Sequence, residues 1–382
     1  FENMVNSLSK PPLAGLRVID FTTMIAGPYC TRLLADCGAE VIKIETDVGD
    51  YIRNATPMSA GVSSYFGHLN CGKKSVVLDL RSDEGHKAAF DLVASADVVV
   101  ENFRPGVMDR LGLNYTRLAD DHPDLIYCAI SGFGQTGPRA ADPAYAPIVH
   151  AASGFDQAQL EYQDELTRPE KSGIFIADVL AGTYGFGAIQ TALLGRDRHG
   201  GGQFIDVALM DSMINLLVHE CQIAQNPPDQ PKILYSPTRT LDGFVIVTPV
   251  TPRNFRDMAH AMGHAEWLTD PRFISVAARR ENWPKVVEVM EDWTSQRTSR
   301  AAEDELLAAG VPCSRYRTIG EAMTDPQSVA RGLMVHVDNA EGGYKVPNPP
   351  FQFSDGTVGV VPKVPALGEH SKEVLATLGS KA

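Results

Sequence analysis

The sequence predicts an α/β fold in which a large domain with a doubly wound, mainly parallel sheet accompanies a smaller domain. Strand-like runs alternate with helix-like segments through the first half of the chain, which is the pattern of successive βαβ units. The chain has 382 residues, of which 44% are hydrophobic. It is therefore long enough to bury two cores rather than one.

The first βαβ unit combines a strand at 16–21, a helix at 28–37 and a strand at 41–45. The turn at 22–28 lacks the G-x-G-x-x-G pattern of dinucleotide-binding proteins, so a nicotinamide dehydrogenase is disfavoured. The chain also lacks G-x-x-x-x-G-K-[ST], which disfavours a P-loop nucleotide triphosphatase.

The alternation of strands and helices continues along the chain. Further strands are predicted at 75–80, 97–101, 125–130 and 203–207, and further helices at 83–94 and 211–225. A Pro-rich stretch at 226–231 favours extended backbone and suits a domain linker. We therefore predict domain segments 1–226, 227–309 and 310–382, the last of which is strand-rich.

Composition excludes several classes of function. A net charge of −13 disfavours non-specific nucleic-acid binding, and no run approaches the roughly 20 apolar residues that span a bilayer. The six cysteines have neither metal-ligand spacing nor the pattern of a disulfide framework. The start of the chain lacks a signal-peptide pattern. We expect a cytoplasmic protein with reduced thiols and no zinc.

Asp178 is the most informative residue, because it is a lone carboxylate between the apolar run 174–177 and a small-residue helix from 179. An isolated buried carboxylate costs several kcal/mol, so it must be hydrogen-bonded, neutralised or kept for chemistry. One interpretation is a helix cap that accepts N–H bonds from the first turn. The other is a catalytic carboxylate, and the residues alone leave both open.

The helix after Asp178 contains Gly182, Gly185 and Gly187. Each glycine lowers helix stability by roughly 1 kcal/mol relative to alanine. This cost is more easily explained if another backbone or a ligand packs closely. The pattern therefore suggests the wall of a buried site.

Several short motifs occur in a collinear order that resembles the class III CoA-transferase family, which also includes α-methylacyl-CoA racemases. They are PLAGLRVIDFT at 12–22, AGP at 26–28, GAEVIKIE at 38–45, VENFRPG at 100–106, SGFGQTGP at 131–138, AD at 177–178, DPRF at 270–273, AGVP at 309–312 and LGEH at 367–370. The resemblance covers essentially the whole chain.

The resemblance implies a homodimer of two interlocked open rings. In this family a Rossmann-like large domain is built from both ends of the chain, so segment 310–382 should return to it, and a smaller α+β domain lies between. The active site lies between domains of the two chains, and a monomer should be inactive.

The family's aspartate nucleophile falls on Asp178. Its carboxylate would attack an acyl-CoA thioester to form a mixed anhydride, and CoA thiolate would then form an aspartyl-CoA thioester. A small carboxylic acid acceptor reverses these steps. Coenzyme A thus enters as the acyl-CoA substrate, and the resemblance implies neither a metal nor a redox cofactor.

The resemblance also implies contacts with CoA. The residues concerned are Ile25 and Ala26 near the thioester, Asn102 and Phe103 along the CoA channel, Lys73, Lys74 and Arg110 at the phosphates, and Tyr145 at the active site. The alternative for the lysine pair is a solvated turn before a strand. Arg104 and Arg139 are weaker candidates for the phosphates.

Departures from the family pattern limit the activity. The racemase branch has Gly-His-Asp where this chain reads Ala-Tyr-Ala at 144–146, so the racemase base is absent. His150 is either a structural histidine or a displaced base, and the structural role is favoured. Ile25 replaces a glutamine of the formyl-CoA branch, and the tetraglycine loop of that branch is missing, so formate and oxalate are doubtful substrates. A larger acyl group, such as a dicarboxylate with a hydrocarbon middle, is our hypothesis.

Two alternatives to a CoA-transferase remain open at this stage. One is an acyl-CoA racemase or isomerase that uses Asp178 as a base, and the other is a CoA-binding protein without turnover. Tyr235, Arg239 and Arg253 could bind the acid, but each is as readily a surface residue.

Overall fold

The structure, a computed structural model, describes residues 10–163, 166–229 and 234–378. The chain divides into two compact units, Phe1–Cys221 with Gln327–Ala382, and Gln222–Pro326. Residues 230 and 231 of the predicted linker lie outside the described residues, as does the start of the chain that we searched for a signal peptide.

The larger unit is organised around six parallel strands, which we label β1 to β6 in chain order. They are Arg17–Asp20, Glu40–Glu45, Lys74–Val77, Val98–Glu101, Ile126–Ser131 and Gln203–Ala208. The order across the sheet is β3-β2-β1-β4-β5-β6. The predicted α/β fold with a parallel sheet is confirmed. The strand order reverses between β1 and β4, and ligands of such sheets bind beyond the carboxyl ends of the strands at this point.

Helices cover both faces of the sheet. Those within the larger unit are Ala26–Asp36, Tyr51–Asn54 (a 3-10 helix), Ser64–Asn70, Asp83–Val93, Val107–Arg110, Tyr115–Asp121, Ala146–Ala152, Phe155–Glu161, Ile176–His199, Leu209–Leu216 and Ser371–Ala376. Two more, Val218–Gln225 and Pro326–Ala330, lie where the chain passes between the units. Short strands pair at Met58–Ser59 with Val62–Ser63, and at Met334–Val337 with Tyr344–Pro347.

Alternate residues of each central strand enter different cores, as expected for a sheet that is buried on both sides. Val18 belongs to one core and Ile19 to the other. The core around Val18 also contains residues of Ala26–Asp36, which we call the first helix, and of Ile176–His199, which we call the long helix. These two helices therefore lie on the same face of the sheet.

The smaller unit has its own core beneath a three-stranded antiparallel sheet. Its strands are Thr238–Arg239, Phe244–Val247 and Cys313–Arg315, and its helices are Pro252–Ala261, Ala265–Leu268 (a 3-10 helix), Val276–Glu281, Trp283–Thr294, Ser299–Ala308 and Ile319–Thr324. Residues 310–326, which the sequence analysis placed in the C-terminal segment, lie in this unit. The reason is that Cys313–Arg315 pairs with Phe244–Val247.

Glycine permits a close contact between the long helix and the first helix. A Cβ atom at Gly182 would lie 2.6 Å from the carbonyl oxygen of Ala26, and one at Gly185 would lie 3.3 Å from Cys30 Sγ. A Cβ atom at Gly187 would meet nothing within 4 Å in the described chain. Close backbone packing thus accounts for Gly182, while Gly187 has no such contact.

The two glycines make a matched pair for measuring this contact. We expect Gly182→Ala to lower the free energy of unfolding by about 1–3 kcal/mol, because the new methyl group must push the helices apart. Gly187→Ala adds the same methyl group in open space, so it should leave stability unchanged or raise it by up to about 1 kcal/mol. Urea unfolding of both variants measures the difference. Equal midpoints would show that the helix contact tolerates a side chain.

Candidate active site

Asp178 is the third residue of the long helix, and its carboxylate has no partner among the described residues. No described residue donates a hydrogen bond to it or forms an ion pair with it, and the helix start has no side-chain cap. The capping interpretation of Asp178 therefore does not hold. Burial raises the pKa of Asp178 to about 6, because desolvation disfavours the charged form and no cation compensates.

His150 takes the place of a cap for this helix. It lies on Ala146–Ala152 and is fully buried. Its Nε2 atom accepts the Ala177 N–H at 3.1 Å, and its Nδ1 atom lies 2.8 Å from the Ser172 hydroxyl. Because Nε2 accepts, the ring proton is on Nδ1 and is donated to Ser172. This arrangement fits the structural role favoured by the sequence.

Asn102 joins the two strand ends at the switch point of the sheet. Its side-chain oxygen accepts the Thr23 N–H at 2.8 Å, and its side-chain N–H group donates to the Thr23 carbonyl at 2.8 Å. Asn102 therefore holds the loop after β1. Phe103, in contrast, packs against the core on the face of the sheet opposite the first helix, so its side chain points away from the first helix.

The loop after β1 is held in an unusual backbone conformation. Met24 has a φ of 68°, which is uncommon for a residue other than glycine. Its N–H group donates to Asp50 Oδ1 at 3.2 Å, and the Lys43 ammonium donates to the Thr22 carbonyl at 2.6 Å. Buried charges thus hold the segment that leads into Ile25.

Ile25 and Ala26 connect this loop to the first helix. Ile25 is buried in an apolar cluster with Ile52, Phe66 and Leu69. Ala26 begins the first helix, and its carbonyl faces Gly182, one helical turn beyond Asp178. The structure therefore brings Ile25 and Ala26 to the start of the long helix, as required if both lie near a reacting thioester.

Tyr65 is a neighbour of Asp178 that the sequence reasoning missed. Burial, followed by the negative charges of Asp178 and Asp50, raises the pKa of Tyr65 to about 12. The phenol therefore keeps its proton near the carboxylate and can donate a hydrogen bond. No motif in the sequence marked this residue, because its proximity to Asp178 arises only from packing.

Tyr145 lies just before the helix that carries His150, and its side chain is 65% exposed. It makes no hydrogen bond to any other described side chain. It is available to a ligand on the surface of this unit.

Lys73 has a structural position that does not fit the predicted phosphate contact. Its ammonium is fully buried, lies 3.0 Å from Asp20 Oδ2 and donates to Thr31 Oγ1 at 2.7 Å and Asn70 Oδ1 at 2.9 Å. Burial alone would raise the pKa of Asp20, but the positive charges of Lys73 and Lys43 outweigh it and lower the pKa to about 2. This lysine neutralises a buried carboxylate beneath the first helix.

The other predicted cations differ in whether they form an ion pair with a carboxylate. Lys74 lies 2.9 Å from Glu40 and 2.8 Å from Glu373, and Arg139 pairs with Asp142. Arg104 and Arg110 are exposed and pair with no described carboxylate. Both arginines follow the carboxyl end of β4 in the chain.

The small-domain candidates contact other residues of their own unit. Arg239 lies 3.6 Å from Glu291, Arg253 lies 3.5 Å from Asp257, and Tyr235 packs edge-on against Trp283.

Within the described ranges, no group of His, Cys, Asp and Glu residues could hold a metal ion. No helix in the same part of the chain is long and apolar enough to cross a membrane.

Comparison with known proteins gives matches over nearly the whole chain. The pattern of CoA-transferase family III matches residues 13–371. Succinate–glutarate CoA-transferase of Agrobacterium fabrum is 35% identical over 97% of this chain and 96% of its own length. Acetyl-CoA:oxalate CoA-transferase of Acetobacter aceti is 36% identical over 90% of each chain. The crystal structure of a CaiB/BaiF family protein from Brucella suis superimposes with a TM-score of 0.84 at 33% identity, covering 97% of this chain and all of that one.

Substitution of each of the two adjacent lysines tests whether Lys73 has a structural role or binds a phosphate. We expect Lys73→Met to lower the free energy of unfolding by about 3–5 kcal/mol, because it leaves Asp20 buried without its counter-charge. Lys74→Met removes two partly exposed ion pairs, with Glu40 and Glu373, and should cost at most about 1 kcal/mol. Urea unfolding measures both. A stable Lys73→Met protein with a raised KM for acyl-CoA would instead restore Lys73 as a phosphate ligand.

Proposed function

This chain belongs to CoA-transferase family III, and from that membership we propose that it moves coenzyme A from an acyl-CoA donor to a carboxylic acid through covalent intermediates on Asp178. The observation that carries the proposal is the unpaired carboxylate of Asp178. It lies at the start of the long helix, beside the loop that presents Ile25 and Ala26.

The reaction consists of four acyl-transfer steps. The ionised Asp178 attacks the thioester carbonyl, the C–S bond breaks, and CoA thiolate leaves a mixed anhydride. The thiolate then attacks the Asp178 carbonyl of this anhydride, which releases the donor acid and forms an aspartyl-CoA thioester. The acceptor carboxylate attacks that thioester and releases the thiolate again. Finally, the thiolate attacks the acceptor carbonyl of the second anhydride, which yields the new acyl-CoA and frees Asp178.

The surroundings of Asp178 suit this sequence of steps. With a pKa of about 6, most of the carboxylate is ionised at neutral pH. Since no described cation pairs with it, its electron pairs are not committed to a salt bridge within that part of the chain. Burial disfavours the charged carboxylate but not the neutral anhydride or thioester, so the same desolvation favours the covalent intermediates.

We assign the CoA phosphates to Arg104 and Arg110 rather than to the lysine pair. Both arginines are exposed near the carboxyl end of β4, and guanidinium groups bind phosphate through paired N–H donors. Tyr65 and Tyr145 would face the acyl end of the ligand. In this assignment Asn102 also lies close to CoA, because it holds the loop after β1.

The functional protein is a homodimer in this proposal. Apolar side chains of the long helix support it, because Val179, Tyr184 and Leu194 are 40%, 46% and 50% exposed in the single chain. An exposed apolar helix surface next to a reacting carboxylate would admit water unless a partner covers it. A homodimer would therefore protect the anhydride from hydrolysis.

The racemase alternative lacks a second base. Residues 144–146 contain no histidine, and both ring nitrogens of His150 are engaged by Ala177 and Ser172. The alternative of a CoA-binding protein without turnover explains Asp178 as a helix cap. That residue does not cap the helix. Covalent transfer accounts for the carboxylate best.

Substitution of Asp178 tests the covalent step. Asp178→Asn should lower kcat by about 10³-fold or more, because the amide cannot act as the nucleophile. The matched control is Asp211→Asn, which removes an exposed acid from the same third position of the helix Leu209–Leu216 and should keep full activity. Mass spectrometry after incubation with succinyl-CoA and hydroxylamine should detect a hydroxamate on Asp178. An unmodified Asp178 and an active variant would contradict the mechanism.

The apolar cluster around Ile25 suggests the acyl group. An apolar wall favours a hydrocarbon segment, and one relative is named for succinate and glutarate. We therefore propose dicarboxylates with a hydrocarbon middle as substrates, although another relative is named for oxalate.

Kinetics with two donors test this proposal. The ratio kcat/KM should be at least about tenfold higher for succinyl-CoA than for oxalyl-CoA. Ile25→Gln should reduce that preference because it places an amide in the apolar wall, whereas Ile25→Leu should retain it. Equal activity of the native enzyme with both donors would remove the basis of the proposal.

A further inference from the structure

We propose that His150 is a positioning residue of the transferase. As a neutral imidazole it holds the first turn of the long helix and thereby sets the place of the Asp178 carboxylate. The inference rests on the proposed role of Asp178, and it adds a residue and a protonation state that the covalent mechanism alone does not require.

The first step of the argument concerns the helix start. The first N–H groups of any helix have no partner within the helix, and the long helix begins after Phe175 without a side-chain cap. His150 Nε2 accepts the N–H group of Ala177 at 3.1 Å. Ala177 is fully buried, so no water could replace this acceptor. A shift of Ala177 would displace Asp178, the next residue.

The second step concerns the segment before the helix. His150 Nδ1 donates to the Ser172 hydroxyl at 2.8 Å, and Ser172 precedes the helix by four residues. One imidazole therefore ties down both the entering chain and the first turn. Phe155 packs against the ring with centroids 5.6 Å apart, which limits rotation of His150.

The third step concerns protonation. A proton on Nε2 would turn the acceptor into a donor that faces the Ala177 N–H group, and it would place positive charge at the positive end of the helix dipole. Burial lowers the pKa of His150, and the negative charge of Asp156 opposes this effect. Burial is the larger of the two effects and the pKa lies below its ordinary value, so His150 is neutral at physiological pH.

Other charged groups near His150 belong to the elements packed around it. Asp156 lies on Phe155–Glu161, Asp178 on the long helix and Asp211 on Leu209–Leu216, while Glu170 and Lys171 adjoin Ser172. The acidic groups among them would favour protonation as the pH falls. Acidification should therefore release the helix start at the same time as it protonates Asp178.

Two substitutions of His150 distinguish the effect of its hydrogen bonds from the effect of its titration. His150→Gln supplies both an acceptor and a donor but does not titrate, so it should keep kcat within about threefold of the native enzyme at pH 7.5. His150→Leu supplies neither and should lower kcat by about 10–100-fold, because a small displacement of a reacting group is costly. The KM for acyl-CoA should change little in either variant.

The pH profile gives a readout that a merely structural residue would not move. In the native enzyme, log(kcat/KM) for succinyl-CoA should fall with a limiting slope of two at acid pH, since both Asp178 and His150 must be unprotonated. In His150→Gln the slope should be one, with an apparent pKa near 6 from Asp178. A circular dichroism spectrum that stays unchanged over the same pH range excludes acid denaturation.

The outcomes are distinct. A slope of two in His150→Gln, or a folded His150→Gln enzyme as inactive as His150→Leu, would overturn the positioning role. If His150→Leu does not fold, the slope measured in His150→Gln still decides. Failure of the proposed function appears separately, as an active Asp178→Asn enzyme without a hydroxamate.

Discussion

The close packing of the long helix against the first helix is the contact on which the candidate site depends. Gly182 lets the backbone of the long helix approach the Ala26 carbonyl, and this approach brings Asp178 to the loop after β1. A side chain at that position would separate the proposed nucleophile from the segment proposed to hold the thioester. The helix contact therefore links the core of the larger unit directly to its chemistry.

Two aspartates of the larger unit differ in whether a cation lies beside the carboxylate. Asp20 is fully buried but paired with Lys73, and its pKa falls to about 2. Asp178 is less buried but unpaired, and its pKa rises to about 6. The first arrangement stabilises the loop beneath the site, because an ionised carboxylate is compensated there. The second leaves the carboxylate without a counter-charge among the described residues, as the proposed nucleophilic role requires. A transferase of this kind needs both, since a nucleophile must be free while its surroundings stay rigid.

The part of the site that could be predicted from sequence is the part that a sequence pattern marks. Asp178 was recognisable as a special position because a lone acid in an apolar run is costly, while its proposed role and the places of Ile25 and Ala26 came from the family resemblance. The lysine pair was misleading as a phosphate site, because adjacent lysines before a strand alternate in direction and Lys73 points into the core. Tyr65 carried no motif. His150 had two interpretations until its ring nitrogens had partners.

The sequence by itself determined the α/β class and the parallel sheet, because these depend on periodicity, and the cost of an isolated charge singled out Asp178 without deciding between a cap and a catalyst. Only the tertiary structure decided the strand order at the switch point, the cap supplied by His150 and the burial of Lys73. It also placed 310–326 in the smaller unit. Each of these depends on contacts between residues far apart in the chain, such as Asn102 with Thr23. Local patterns do not encode such pairs, since many partners satisfy the same donor or charge.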